Sequence, residues 1–161
     1  MVPSSSGLRV ASRTTLVLGL CAALVAAAAP AHAGPSGLQA TGGWYTRDDN
    51  FFLGAGLRMG LGTITVIPNG EWIFLDRGTS YTLNLDGTLN VLPLGVGSGY
   101  VGAGVGLLTV NPESGSSTTD TAVNLIAGFG LNVIPLKPFA QFKYVMVSGE
   151  DQRVFAIGAR F

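Results

Sequence analysis

The sequence predicts an all-β chain: an eight-stranded, antiparallel, up-and-down transmembrane β-barrel following a cleaved signal peptide. Three observations predict it. Apolar and polar residues alternate with period 2 in run after run. The turns between runs alternate between plain and charged. The polar phase of the runs is rich in glycine, and it carries the charges found inside them.

Composition fits this class and excludes others. Of 161 residues, 9 are Lys or Arg and 9 are Asp or Glu, so only 11% are charged; soluble domains carry about 25%. Hydrophobic types reach 47%, and mean hydropathy is +0.44. Disordered segments have the opposite bias. The 24 glycines lack the three-residue period of collagen. Net charge 0 without a basic run gives nucleic acid nothing to bind, so no nucleic-acid partner is expected. The length suits one domain.

Residues 1–33 read as a signal peptide. Arg9 and Arg13 supply a positive start, and Leu16 to Ala29 is a 14-residue apolar run. Ala31-His32-Ala33 offers small residues at both key cleavage positions. The run is short for a spanning helix, which needs about 20 apolar residues. Cys21 does not suit lipoprotein processing, because bulky Leu20 precedes it. Cleavage after Ala33 leaves a barrel domain of residues 34–161, with 7 basic and 9 acidic side chains. Cys21 and His32, the only cysteine and the only histidine, leave with the signal. Disulfides, thiol chemistry, Cys/His metal sites and histidine-based hydrolysis leave with them. No catalytic residue, cofactor site or metal site is therefore expected.

The first strand is read over Leu38 to Tyr45. In the second, Phe51 to Met59, Gly54, Gly56 and Arg58 oppose Leu53, Ala55, Leu57 and Met59. The third, Ile64 to Leu75, contains Pro68, which cannot donate to a ladder and predicts a bulge. The fourth, Tyr81 to Val91, alternates strictly: Thr82, Asn84, Asp86, Thr88 and Asn90 against Tyr81, Leu83, Leu85, Leu89 and Val91. In the fifth, Tyr100 to Leu107, Gly102, Gly104 and Gly106 alternate with valine, alanine and leucine. The sixth is Thr121 to Val133, with Asn124, Gly128, Gly130 and Asn132 in its polar phase. The seventh, Phe139 to Val147, sets Gln141 and Lys143 against Phe142, Tyr144 and Met146. The eighth, Gln152 to Phe161, sets Gly158 and Arg160 against Phe155, Ile157 and Ala159.

Turns 2–3 (Gly60-Leu61-Gly62), 4–5 (Leu94 to Gly97) and 6–7 (Pro135 to Pro138) are short and nearly uncharged. Turns 1–2 (Arg47 to Asn50), 3–4 (Asp76 to Thr79), 5–6 (Asn111 to Asp120) and 7–8 (Ser148 to Asp151) carry 3 basic and 7 acidic residues with their immediate flanks. Alternate turns of a meander share one end. Transmembrane barrels have this asymmetry, with short periplasmic turns and longer outer loops.

Alternation alone does not say which face points inward. Three features favour an apolar exterior in a membrane. Eight glycines (54, 56, 102, 104, 106, 128, 130 and 158) share the polar phase, where a narrow lumen needs small residues beside large ones. Most strands are long enough to cross a bilayer at a tilt. Trp44, Tyr45, Phe51, Phe52, Tyr81, Phe139 and Phe161 gather near strand ends, as interfacial girdles do. Arg58, Glu71, Asp86, Lys143 and Arg160 then line the lumen, with Asn84, Asn90, Asn124, Asn132 and Gln141. Such groups are expected to pair and to plug the barrel.

These residues resemble the small bacterial outer-membrane β-barrel family of OmpA/OmpX-like type. Tyr100 to Gly106 is similar to that family's central glycine-alternating strand, and Pro138 to Tyr144 to its penultimate strand. Ala156 to Phe161 looks like the last-strand signal, with Phe161 as the residue read by the outer-membrane assembly machinery. The short outer loops and Pro68 depart from the pattern. The resemblance implies the outer membrane of a two-membrane bacterium, reached through the periplasm. Lipid, lipopolysaccharide and the assembly machinery are the implied partners. It implies no single activity. The expectation is a non-enzymatic barrel serving envelope integrity or surface contact. The alternatives are a narrow small-solute channel and a periplasmic lipocalin-like binder of apolar ligands.

Overall fold

The computed structural model describes residues 36–161 apart from 62, 133, 134 and 149. The signal segment read over 1–33, with Cys21 and His32, lies outside the described residues. Eight strands follow one another: β1 (Gly37–Tyr45), β2 (Asn50–Leu61), β3 (Ile64–Phe74), β4 (Thr79–Pro93), β5 (Gly97–Asn111), β6 (Thr118–Leu131), β7 (Lys137–Val147) and β8 (Glu150–Arg160). Each pairs antiparallel with its neighbours in sequence, and β1 pairs with β8 to close the barrel. Closure leaves no sheet edge unpaired, as backbone in a bilayer requires.

The two phases of each strand take opposite sides. On β4, Ser80, Thr82, Asn84, Asp86 and Thr88 are buried, whereas Leu83 is 58% exposed and Leu85 52%. On β2, Phe52 and Arg58 are buried while Leu53 and Leu57 are exposed. The apolar phase therefore faces out. A soluble barrel holding an apolar ligand requires the reverse. Strands β3, β7 and β8 have 11 residues each. At about 3.3 Å per residue and a tilt of about 40°, that length crosses roughly 28 Å, close to the hydrocarbon thickness of a bilayer.

Three of the aromatics expected in the girdles face inward. Tyr45, Phe52 and Phe139 are buried, because each shares its strand's polar phase: Gln39 for Tyr45, Arg58 for Phe52, Lys143 for Phe139. Trp44, Phe51, Tyr81 and Phe161 do face out, joined by Trp72, Phe74 and Phe155. Cross-strand pairing aligns Phe142, Phe155, Trp44 and Phe51 in one row over β7, β8, β1 and β2. Phe74 stacks on Phe51 at 5.8 Å and extends the row to β3.

The bulge expected at Pro68 is absent. Pro68 pairs with Leu85 in unbroken register. On the other side, β2–β3 pairing skips the two pairs between Gly56/Asn69 and Met59/Val66 without shifting. The missing N–H is thus accommodated as a local gap in one ladder. The register does shift between β4 and β5, at Asn90/Leu92.

The outer 5–6 loop is also shorter than the residue types suggest. Strands β5 and β6 extend to Asn111 and Thr118, leaving 112–117 between them. The Thr109 and Thr119 hydroxyls share a hydrogen bond of 3.0 Å that ties the extension together. Turn 1–2 is held by Asp49 at φ 53°, a conformation that aspartate tolerates well. At the plain end, β8 is followed by Phe161, whose amide donates to the Leu38 carbonyl at 2.9 Å.

Candidate functional site: the barrel interior

The interior is stacked in three layers, running from the charged-loop end to the short-turn end. The first is apolar. Tyr45, Phe52, Ile73, Ala122, Val145, Val154 and Ala156 form one buried cluster, with Leu75, Leu108 and Val147 against it. Tyr45 and Phe52 meet edge-to-face at 5.4 Å. Above this floor lies a cup of about 420 Å³, rimmed by Asp48, Asp120 and Glu150. Glu150 is engaged by Arg47 at 3.1 Å.

The second layer is a polar network centred on Lys143. Its Nζ donates to Glu71 Oε1 at 2.6 Å and lies 3.9 Å from Asp86 Oδ2. Glu71 Oε2 accepts from the Tyr45 hydroxyl at 2.7 Å and from Thr82 at 3.2 Å. Asp86 accepts from Asn69 through Oδ2 at 2.8 Å and from Asn124 through Oδ1 at 3.0 Å. Asn84 donates to Asn69 and Thr82, and accepts from Asn124 at 3.0 Å. Both carboxylates and the ammonium are thus satisfied on several sides, the condition under which a buried ion pair is tolerated. Gly104 makes room for it: a Cβ there would collide with Asp86 Oδ1.

The third layer, at the short-turn end, holds the two arginines. They do not join the carboxylates. Arg58 Nη1 donates to Gln39 Oε1 at 3.4 Å. The Arg160 guanidinium lies 4.9 Å from the Tyr100 ring centre and 4.7 Å from that of Phe139. A Cβ at Gly130 would stand 2.6 Å from Arg160 Nη1. The expectation that all five charged groups pair is corrected here. Lys143, Glu71 and Asp86 meet, whereas Arg58 and Arg160 form no ion pair among the described residues. The reason is level. Arg160 ends β8 and Arg58 is near the short-turn end of β2, whereas Asp86 is mid-β4 and Glu71 is near the charged-loop end of β3.

Other lining residues fall as follows. Asn84, Asn124 and Gln141 face inward, Gln141 accepting from the Tyr100 hydroxyl at 3.2 Å. Asn90 is half-buried. Asn132 is exposed beyond the end of β6, where its amide donates to the Val96 carbonyl at 2.8 Å. Sequence reasoning misses Tyr45, Asn69, Thr82, Gln39 and Tyr100 as network members. Their strand phase is the available signal. Between the layers lies a void of about 10 Å³, lined in part by Gln39, Gln141, Glu71 and Asp86. That is about the minimum for a single water.

By sequence, the chain matches no family model and no curated protein. Its fold is that of solved eight-stranded barrels. The crystal structure of Neisserial surface protein A (NspA) superposes with a TM-score of 0.61 at 12% identity, over 78% of this chain and 94% of that one. The outer membrane protein Ail of Yersinia pestis, determined in a phospholipid bilayer nanodisc, matches with a TM-score of 0.43 at 16% identity, over 79% and 100%.

Proposed function

We propose that the protein is a non-enzymatic outer-membrane barrel with a sealed lumen, serving envelope integrity or surface contact. The observation that carries this reading is the interior itself. An apolar layer and a hydrogen-bonded ionic layer fill the cross-section, and the void between layers is about 10 Å³. Eight strands leave an interior just wide enough for side chains, and these side chains occupy it. Among the described residues, this filling argues against the continuous path that a narrow solute channel needs.

The outer surface supports a membrane location. Leucine, valine and aromatic side chains cover it, far beyond the apolar patch of an ordinary soluble monomer. A shallow groove of about 950 Å³ runs across it where Ala40, Ala55 and Gly70 lie between Leu38, Leu57 and Leu83, a shape suited to acyl chains. Lipid is the first partner on this reading. Lipopolysaccharide is the second, through Arg47, Arg77 and Arg153 at the charged end or divalent cations at the neighbouring carboxylates. The exposed Phe161 ring is the feature offered to the assembly machinery.

Planar-bilayer recording tests the sealed lumen. Purified, refolded protein is expected to add no steps of conductance above the bare membrane. Regular steps that scale with salt would favour the narrow channel instead.

A further inference from the structure

The short-turn end of the lumen carries two positive charges with no negative partner among the described residues. Arg58 is 5% exposed and Arg160 9%. Buried charge is costly unless paired and hydrogen-bonded. The compensation visible here is incomplete. The rings of Tyr100 and Phe139 engage the face of the Arg160 guanidinium. Ring contacts of this kind engage the plane of the group and not its N–H edge. The guanidinium also hydrogen-bonds the Tyr100 side chain, yet among the described residues the buried Arg160 Nε has no hydrogen-bond partner. Arg58 has one long bond to Gln39, at 3.4 Å.

The two arginines also flank the same stretch of β1. Gln39, which accepts from Arg58, pairs directly with Arg160 across the β1–β8 ladder. Arg58 stands opposite Gly37 on the other side of β1, two residues from Gln39. Because Gln39 accepts through Oε1, its amide nitrogen is left as a donor. The result is two guanidinium forks, an amide donor and an orphaned N–H at one mouth. Planar forks of this kind match the tetrahedral oxygens of phosphate. Two local positive charges match a dianion better than chloride.

We infer that Arg58 and Arg160, joined through Gln39, form a binding site for a phosphate-class oxyanion at the short-turn mouth of the barrel. The ligand is inorganic phosphate or the phosphate of a lipid headgroup reaching in from the mouth. It neutralises both arginines and accepts from Arg160 Nε. The site is independent of the Lys143 network and of any role for the charged loops.

The test is side-chain NMR of the folded full-length barrel, ¹⁵N-labelled and held in a sugar-headgroup detergent. The arginine Nε–Hε signals are followed while inorganic phosphate or, separately, a short-chain phosphatidic acid is added. Chloride at matched ionic strength is the control. A saturable shift of the Arg160 signal with inorganic phosphate supports the site and a soluble ligand. Saturation with phosphatidic acid alone supports the site and a headgroup. Arg58→Gln is expected to weaken the apparent affinity about tenfold, the usual loss for one charge-assisted hydrogen bond. Gln39→Ala, which keeps both charges, is expected to weaken it less. No saturable shift in the wild-type protein, or one equally strong with chloride, overturns the inference. So does a shift unchanged in a folded Arg58→Gln barrel.

Discussion

Lys143 on β7 and Glu71 on β3 meet across the lumen, Nζ to Oε1 at 2.6 Å, joining strands that share no ladder. Most contacts in the barrel run between adjacent strands, so this pair is a strut across the ring. Lys143→Met leaves Glu71 and Asp86 buried with no cation between them. Breaking a buried pair in this way destabilises by about 3–5 kcal/mol. Urea unfolding of the refolded protein in lipid, followed by tryptophan fluorescence, is expected to show a loss of that size. The double variant Lys143→Met with Glu71→Gln is expected to recover part of it.

The hydroxyl of Tyr45 links the apolar layer to the strut through its 2.7 Å bond to Glu71. Tyr45→Phe keeps the ring against Phe52 and removes only this donor. A hydrogen bond to a charged group is worth about 1.5–3 kcal/mol, and the same unfolding assay is expected to show a loss in that range.

Glycine matters on one face and not on the other. Gly104 faces inward, where a Cβ would meet Asp86 Oδ1 and the Leu85 carbonyl. Gly87 faces out, with only the Ala103 carbonyl near, at 3.7 Å. Gly104→Ala is expected to destabilise by about 1–3 kcal/mol through overpacking. Gly87→Ala is expected to be neutral within about 0.5 kcal/mol. Equal effects at the two positions would contradict the assignment of faces.

These two faces are legible in the residues alone. On β4, strict alternation over Tyr81 to Val91 separates the buried Thr82, Asn84, Asp86 and Thr88 from the exposed Leu83 and Leu85. Tyr45, Phe52 and Phe139 depart from the expected girdle because phase, not nearness to a strand end, decides where a ring points. A ring one residue from an inward glycine's phase faces out; a ring within that phase faces in. The separation of Arg58 and Arg160 from the carboxylates is not legible. Phase says which side of the sheet a residue faces, while its level in the barrel depends on the stagger of all eight strands. Pro68 misleads for a related reason. Whether a missing donor forces a bulge depends on the neighbouring ladder, which here opens a gap instead.

A charge placed outward distinguishes the membrane barrel from a soluble one. Leu85→Arg puts a guanidinium on the apolar exterior near mid-strand. In lipid this is expected to destabilise by about 2–4 kcal/mol, as at a bilayer midplane. On a water-facing surface the same change falls within about 0.5 kcal/mol. Unfolding of both proteins from lipid vesicles gives the difference.

The central claim is an apolar-outside, polar-inside closed barrel that resides in a membrane. Expression in a two-membrane bacterium, isolation of the outer-membrane fraction and gel electrophoresis with and without boiling test it most directly. The account predicts that the protein is in that fraction and that the unheated sample migrates apart from the boiled one, because the closed barrel resists cold detergent. Protein recovered in the soluble fraction, with one mobility before and after boiling, would contradict it.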